Sequence, residues 1–267
     1  MHPFVELFGR EIPSYGLLLV ASAIAAWLLL ILLTRIKKTI DSGDVTYTFL
    51  IGLCGGIIGA AALRPITRTV EVVTEWNVYK TYSAEALLHT IFTGEIVFYG
   101  GLIGGMIGIL LFCKKFKIAV IPLFDLLAPP FALAHAIGRL GCLCAGCCYG
   151  VEVPRGSLLS IIYPSVSLGA PPGIPLLAVP LIESIFLFAL AAVLVIVYKY
   201  TKREGLCATV YFTAYSIERF IIEFFRGDLI RGVFGSLSTS QYLSIALFVF
   251  AFVYYLYLKR RRTVKNA

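Results

Sequence analysis

Seven apolar runs, each close to the ~20 residues that a bilayer core requires, divide this chain from end to end. They fall at 14–34, 47–64, 95–113, 118–138, 177–198, 206–225 and 239–258. In lipid, a spanning segment must satisfy its own backbone N–H and C=O groups, so runs of this length dictate helices. Composition agrees: 59% of residues are hydrophobic and 14% charged, where a soluble domain carries about 25% charged residues. The expected fold is an all-α polytopic membrane protein, a single transmembrane domain over 1–267 with about seven transmembrane helices.

The charges set the orientation. Of 23 Lys and Arg residues, fourteen follow spans one, three, five and seven, among them Arg35, Lys114, Lys199 and Arg260. Eight lie on the opposite side, and Arg219 falls within a span. The positive-inside rule then puts the N-terminus outside and the C-terminus in the cytoplasm. The net charge of +8 therefore reads as topology and not as a nucleic-acid surface. The first apolar run is too long for a signal-peptide core and has no small-residue cleavage site after it, so no cleavable leader is expected. Two outer segments stand out. Residues 65–94 contain an amphipathic piece from Ser83 to Phe92, expected to lie in the interface plane. Residues 151–176 carry five prolines and read as an irregular outer cap.

Small-xxx-small pairs, Gly52/Gly56 and Gly55/Gly59 in span two and Gly100/Gly104 and Gly101/Gly105 in span three, are expected to let helices touch backbone to backbone. With the topology assigned, polar residues from six spans share one depth near the outer face: Tyr15, Arg64, Tyr99, His135 with Arg139, Glu183, and Tyr215, Arg219, Glu223 and Arg226. The last four share one helical face. Ionisable groups at membrane depth are costly to expose and mark function by default. Arg139 lies in Gly138-Arg139-Leu140-Gly141, followed by Cys142, Cys144, Cys147 and Cys148. Zinc sites usually draw on two separated pairs held by distinct turns, so small-residue packing is expected here, with no metal and no cofactor. A disulfide or a reactive thiol are the alternatives. Cys54, Cys113 and Cys207 sit singly in apolar runs and read as small buried hydrophobes.

The run from Gly138 through Gly146 to Tyr149-Gly150 resembles the signature of phosphatidylglycerol–prolipoprotein diacylglyceryl transferases. Tyr15-Gly16, Phe98-Tyr99-Gly100-Gly101-Leu102, and Tyr215 with the stretch from Arg219 to Arg226 are similar to further family blocks in the same order, and Ser238 to Ile245 more weakly.

This resemblance implies a multi-pass enzyme of the bacterial plasma (inner) membrane that acts in lipoprotein biosynthesis. Such an enzyme moves a diacylglyceryl group from phosphatidylglycerol to the lipobox cysteine of a preprolipoprotein signal peptide and releases glycerol-1-phosphate. It implies a catalytic set of Arg139, Arg219, Glu223 and Tyr99. Arg139 and Arg219 hold the phosphate and Glu223 orients Arg219. Tyr15, Arg64, Gly100, Gly101, Cys142, Gly150, Glu183 and Tyr215 are implied to bind substrate. Family members commonly carry histidine where Tyr99 stands, asparagine at Cys142 and glutamate at Cys147. A tyrosine with an ordinary pKa near 10 is a poor base at neutral pH. The alternatives are a phospholipid-dependent transferase with another acceptor, and a non-enzymatic lipid transporter or scaffold.

Overall fold

The computed structural model describes residues 3–7, 9–80, 82–92, 98–228 and 233–266. The chain divides into two compact units, one made of Met1–Thr39 with Ile121–Ala267, the other of Ile40–Val120.

The larger unit opens with an antiparallel hairpin of β1 (Phe4–Leu7) and β2 (Arg10–Pro13), with Phe4 opposite Pro13. The chain then enters α1 (Ser14–Ile36). The smaller unit follows with α2 (Ser42–Thr74), α3 (Trp76–Tyr79), α4 (Ala84–Phe92) and α5 (Phe98–Phe116). The larger unit resumes with α6 (Val120–Ala145). After it, β3 (Ser160–Ile162) pairs antiparallel with β4 (Pro175–Leu177). Helices α7 (Val179–Tyr200) and α8 (Leu206–Ile222) come next, then a 3-10 turn at Glu223–Phe225. A two-residue hairpin, β5 (Val233–Phe234) with β6 (Leu237–Ser238), leads into α9 (Thr239–Asn266).

Among the described residues, five helices are long and apolar enough to cross a membrane: α1, α2, α6, α7 and the first 23 residues of α9. At the other two expected spans, α5 has 19 residues and α8 has 17, and neither is among those five. Helix α2 outruns its apolar stretch at both ends. Beyond Arg64 it continues through Pro65 to Thr74, where Arg68 pairs with Glu71 at 2.7 Å one turn away and the Tyr79 hydroxyl donates to the same carboxylate at 3.0 Å. Part of the expected outer segment 65–94 is thus a polar extension of α2. The amphipathic piece is helix α4, and residues 151–176 form no helix.

In the smaller unit, α2 and α5 meet along their glycines. A methyl group on Gly55 would sit 2.7 Å from the Gly104 carbonyl oxygen, and one on Gly59 would sit 2.8 Å from the Gly104 Cα. No side chain fits between backbones this close, so the contact is van der Waals attraction along the full glycine ridge.

In the larger unit the burial is greatest on α6 and α7, whose apolar windows are 44% and 39% buried, against 22% for α1 and α9. Leu123, Leu126 and Ala132 of α6 and Leu187 and Leu194 of α7 are fully enclosed. Polar ties fix the register. The Ser184 hydroxyl donates to the Ala136 carbonyl at 2.9 Å. Asp125 of α6 accepts from the Gly205 and Ala208 amides at 2.5 and 2.9 Å, so it caps α8 from 80 residues away and supplies partners for otherwise orphaned N–H groups. The outward faces stay apolar, with Val20 and Leu28 on α1 and Ile196 on α7 more than half exposed, as lipid-facing helices require.

Candidate functional site

Three helices of the larger unit each contribute a charge to one point. Arg139 stands six residues before the end of α6, Glu183 in the second turn of α7, and Arg219 in the last turn of α8. Glu183 Oε1 lies 3.2 Å from an Arg139 Nη and 3.6 Å from an Arg219 Nη, so one carboxylate serves both guanidinium groups. Arg219 also meets Glu223 at 2.9 Å, one turn on, and donates to the Ser240 hydroxyl of α9 at 2.9 Å. Glu223 in turn lies 4.0 Å from Arg226, whose fork grips both oxygens of Asp228. The result is an alternating run: Arg139, Glu183, Arg219, Glu223, Arg226, Asp228. None of these six side chains is more than 16% exposed. Burying one charge alone would cost several kcal/mol, and alternation is what lets three guanidiniums share a dry seam.

The seam is paired but not saturated. Arg139 Nε and Arg219 Nη1 are buried donors with no hydrogen-bond partner; Glu183 Oε1 carries both ion pairs without a hydrogen bond, and Oε2 is buried with no hydrogen-bond partner. Groups left in this condition are rare in a resting core and common where a ligand completes the network.

The surroundings are aromatic and glycine-lined. Tyr215 stacks on Tyr211 at 5.9 Å and meets His135 edge-on at 4.9 Å. His135 packs between Phe131 and Tyr215, and its Nδ1 has no hydrogen-bond partner. The Tyr15 ring lies against Gly141, where a methyl group would come within 3.0 Å of it. Gly150 has a backbone duty. It pairs with Arg226 across an isolated bridge, flanked by Val151 N–H to Phe225 and Gly227 N–H to Tyr149. A Cβ on Gly150 would meet the Leu177 oxygen at 2.6 Å. This crossing is what holds Arg226 under the end of α8.

The cysteine run folds back on itself. Helix α6 continues to Ala145, so Cys142 and Cys144 are helical. Gly146, at φ +74, turns the chain back: its amide and that of Cys147 both return to the Cys142 carbonyl, at 3.1 and 3.2 Å. Cys148 is itself left-handed, at φ +59. The Sγ atoms of Cys142, Cys147 and Cys148 lie within 4.8 Å of one another. The Cys147 thiol donates to the Cys142 carbonyl at 3.7 Å. Cys113 and Cys207 are buried as expected, whereas Cys54 is exposed on α2.

The structure thus brings together Arg139, Glu183, Arg219 and Glu223, with Tyr215 on the same helix as Arg219 and Tyr15 against the same helix as Arg139. Arg64, Gly100 and Gly101 belong to the smaller unit. Gly100 is buried there, with Leu63 and Gly59 at the place a side chain would take. Tyr99 lies in the first turn of α5, and its side chain is outside the described residues. Sequence reasoning missed two features. Asp228 closes the ion-pair run, and a bidentate pair two residues apart leaves no periodic signal. Glu218, next to Arg219 in the chain, has both oxygens buried without a hydrogen-bond partner.

A helical membrane protein with buried, unsaturated guanidinium groups at one end of its core helices has the make-up of a protein that handles an anionic group at membrane depth. Comparison with known proteins narrows this class. The profile of the prolipoprotein diacylglyceryl transferase family matches residues 3–257, and the chain belongs to that family. It is 38% identical over 245 residues to the phosphatidylglycerol–prolipoprotein diacylglyceryl transferase 2 of Clostridium perfringens, covering 91% of this chain and 90% of that one. It is 33% identical over 252 residues to the corresponding transferase of Clostridium tetani (92% and 94% covered), and 33% identical over 251 residues to that of Ligilactobacillus salivarius (92% and 89%).

Proposed function

We propose that this protein transfers the diacylglyceryl group of phosphatidylglycerol to the cysteine thiol of a prolipoprotein signal segment, forming a thioether and releasing glycerol-1-phosphate. The observation that carries the reading is the pair of guanidinium groups, Arg139 and Arg219, held by one carboxylate, each keeping a buried donor (Arg139 Nε, Arg219 Nη1) that makes no hydrogen bond. As the glyceryl C–O bond breaks, the departing phosphate gains negative charge. Two preformed cationic donors in a dry site stabilise that charge more than the ground state, the condition for acceleration. Glu183 keeps the two side chains together before lipid arrives. Glu223 and Ser240 fix the orientation of Arg219. Tyr15, Tyr215, Cys142 and Gly150 shape the headgroup site, and Arg64, Gly100, Gly101 and Tyr99 serve the same reaction. The wider reading is a seven-span protein of the bacterial plasma membrane, N-terminus outside, with residues 151–176 as an outer cap.

Purified protein, phosphatidylglycerol vesicles and a lipobox peptide should yield a peptide heavier by one diacylglyceryl group. Arg219→Lys keeps the charge and loses the fork, and the rate should fall roughly 100-fold or more with thermal stability largely kept. Lipid turnover without peptide adduct would redirect the reading to another acceptor. No turnover at all, under conditions where a relative is active, would end it.

A further inference from the structure

The three gathered thiols call for an explanation that packing does not provide. Small apolar residues would fill the end of α6 equally well. Here instead two left-handed residues in succession, Gly146 and then Cys148 after one intervening residue, fold the chain back so that Cys147 and Cys148 face Cys142. A non-glycine residue in that conformation costs roughly 1–3 kcal/mol and persists where its surroundings demand it. A second observation points the same way. Tyr163, between β3 and β4, is 1% exposed and its hydroxyl is buried with no hydrogen-bond partner. Its ring borders Gly146, where a methyl group would lie 3.1 Å from Cδ1, and the titratable groups around its hydroxyl are Cys147, Cys142, Cys148 and Cys144. A buried phenol without a partner, on a ring packed against the glycine that turns the thiols together, is a donor free to serve this group.

We propose that Cys142, Cys147 and Cys148 form a three-thiolate site for zinc(II), whose fourth position takes the cysteine thiol of the acceptor. Sulfurs at the usual zinc–sulfur length of about 2.3 Å on a tetrahedron stand roughly 3.8 Å apart, and these three already lie within 4.8 Å. Rotation about Cα–Cβ bonds closes the difference. Among the described residues, the group contains three ligands and not four, the arrangement of a site with an open position and not of a closed structural one. Three thiolates and one zinc carry a single negative charge, which Arg139 and Arg226, both within electrostatic reach of Cys148, offset. Tyr163 supplies the outer hydrogen bond that such ligands need.

The inference rests on the transferase reading and deepens it. On binding, the acceptor thiol loses its proton, because a zinc-coordinated thiol is deprotonated outright. The thiolate then attacks the glyceryl carbon. The S–C bond forms, the C–O bond to phosphate breaks with its electron pair going to oxygen, and the proton released from the thiol ends on that phosphate oxygen. Nothing is oxidised or reduced.

The test uses the full chain in lipid nanodiscs, stripped with a chelator under reducing conditions, reloaded with zinc(II) or cobalt(II) and desalted. Elemental analysis should find one ion per chain, and cobalt should give a thiolate charge-transfer band. Cys142→Ser, Cys147→Ser and Cys148→Ser should each weaken retention by at least the roughly 10–100-fold that loss of an outer partner costs elsewhere. Cys144→Ser, an equal perturbation of the same helix end, should retain the ion. A lipobox peptide should shift the cobalt band, and its Cys→Ser version should not. No retained ion, equal retention in all four variants, or a disulfide among the three thiols in the isolated chain would overturn the site. A band indifferent to the peptide thiol would overturn its role. The two readings fail separately: peptide adduct without any metal sinks this inference alone, and metal without adduct sinks the transferase reading alone.

Discussion

Between α2 and α5 the backbones touch and no described charge is buried, whereas α6, α7 and α8 meet around a seam of six buried charges. Both are helix contacts in the same chain, yet they are built from opposite materials. Lipid tails are as apolar as leucine, so a membrane helix pair cannot gain by merely hiding hydrocarbon. Close glycine contact is one way to make association favourable, and it leaves nothing unsatisfied. The charged seam is the costly way. It keeps donors and acceptors without hydrogen bonds in its middle, a state that a purely structural contact has no reason to maintain. On the proposed reading, the contact whose burial is cheap is scaffold, and the one whose burial is expensive and incomplete is the working part.

The sharpest way to break that contrast is Glu183→Gln. It removes the one charge shared by Arg139 and Arg219 and leaves two buried cations facing each other. The expected loss is about 3–5 kcal/mol in thermal unfolding, together with loss of the peptide adduct. A small effect would mean the two arginines are already balanced by other acids, and the seam is no focus at all. Gly59→Ala tests the other region. Its methyl group would meet the backbone of Gly104 at 2.8 Å, so the helices must separate, at an expected cost of about 1–3 kcal/mol. Neutral behaviour would show that the ridge tolerates a gap and that its glycines are incidental.

The same contrast explains what the sequence disclosed. The glycine ridge was legible because its period and its residue type both encode the contact. The convergence of Arg139, Glu183, Arg219 and Glu223 was legible as shared depth, since the topology puts the ends of successive spans level. Their pairing was not: that Glu183 serves two arginines depends on the rotation of α6, α7 and α8 about their axes. Hydropathy located each apolar run, but it ended span two at Arg64 when the helix runs to Thr74, because helical hydrogen bonding does not stop where apolar character does. It also ended span four at residue 138, which hid the helical placement of Cys142. The gathering of the thiols turns on two left-handed residues, Gly146 and Cys148, whose conformations the local sequence permits without requiring.

Glu218 offers the smallest expected change and the finest distinction. Its carboxyl oxygens are both buried and neither has a hydrogen-bond partner, while Glu183, Arg139 and Arg219 are the charged groups that face it. Were this group as integral to the seam as Glu183, removing its charge would cost several kcal/mol, because the remaining cations would be left in excess. Glu218 makes no hydrogen bond, so replacing it breaks none. Glu218→Gln keeps the volume and swaps an unpaired oxygen for an amide that can donate toward Glu183. Thermal unfolding should therefore move by less than about 1 kcal/mol, in either direction. A fall above about 3 kcal/mol would mean that Glu218 belongs to the alternating run, which would then have seven members. An unchanged melt with a slower rate of adduct formation would place Glu218 among the groups that meet substrate, and would widen the working face of α8 between Tyr215 and Arg219.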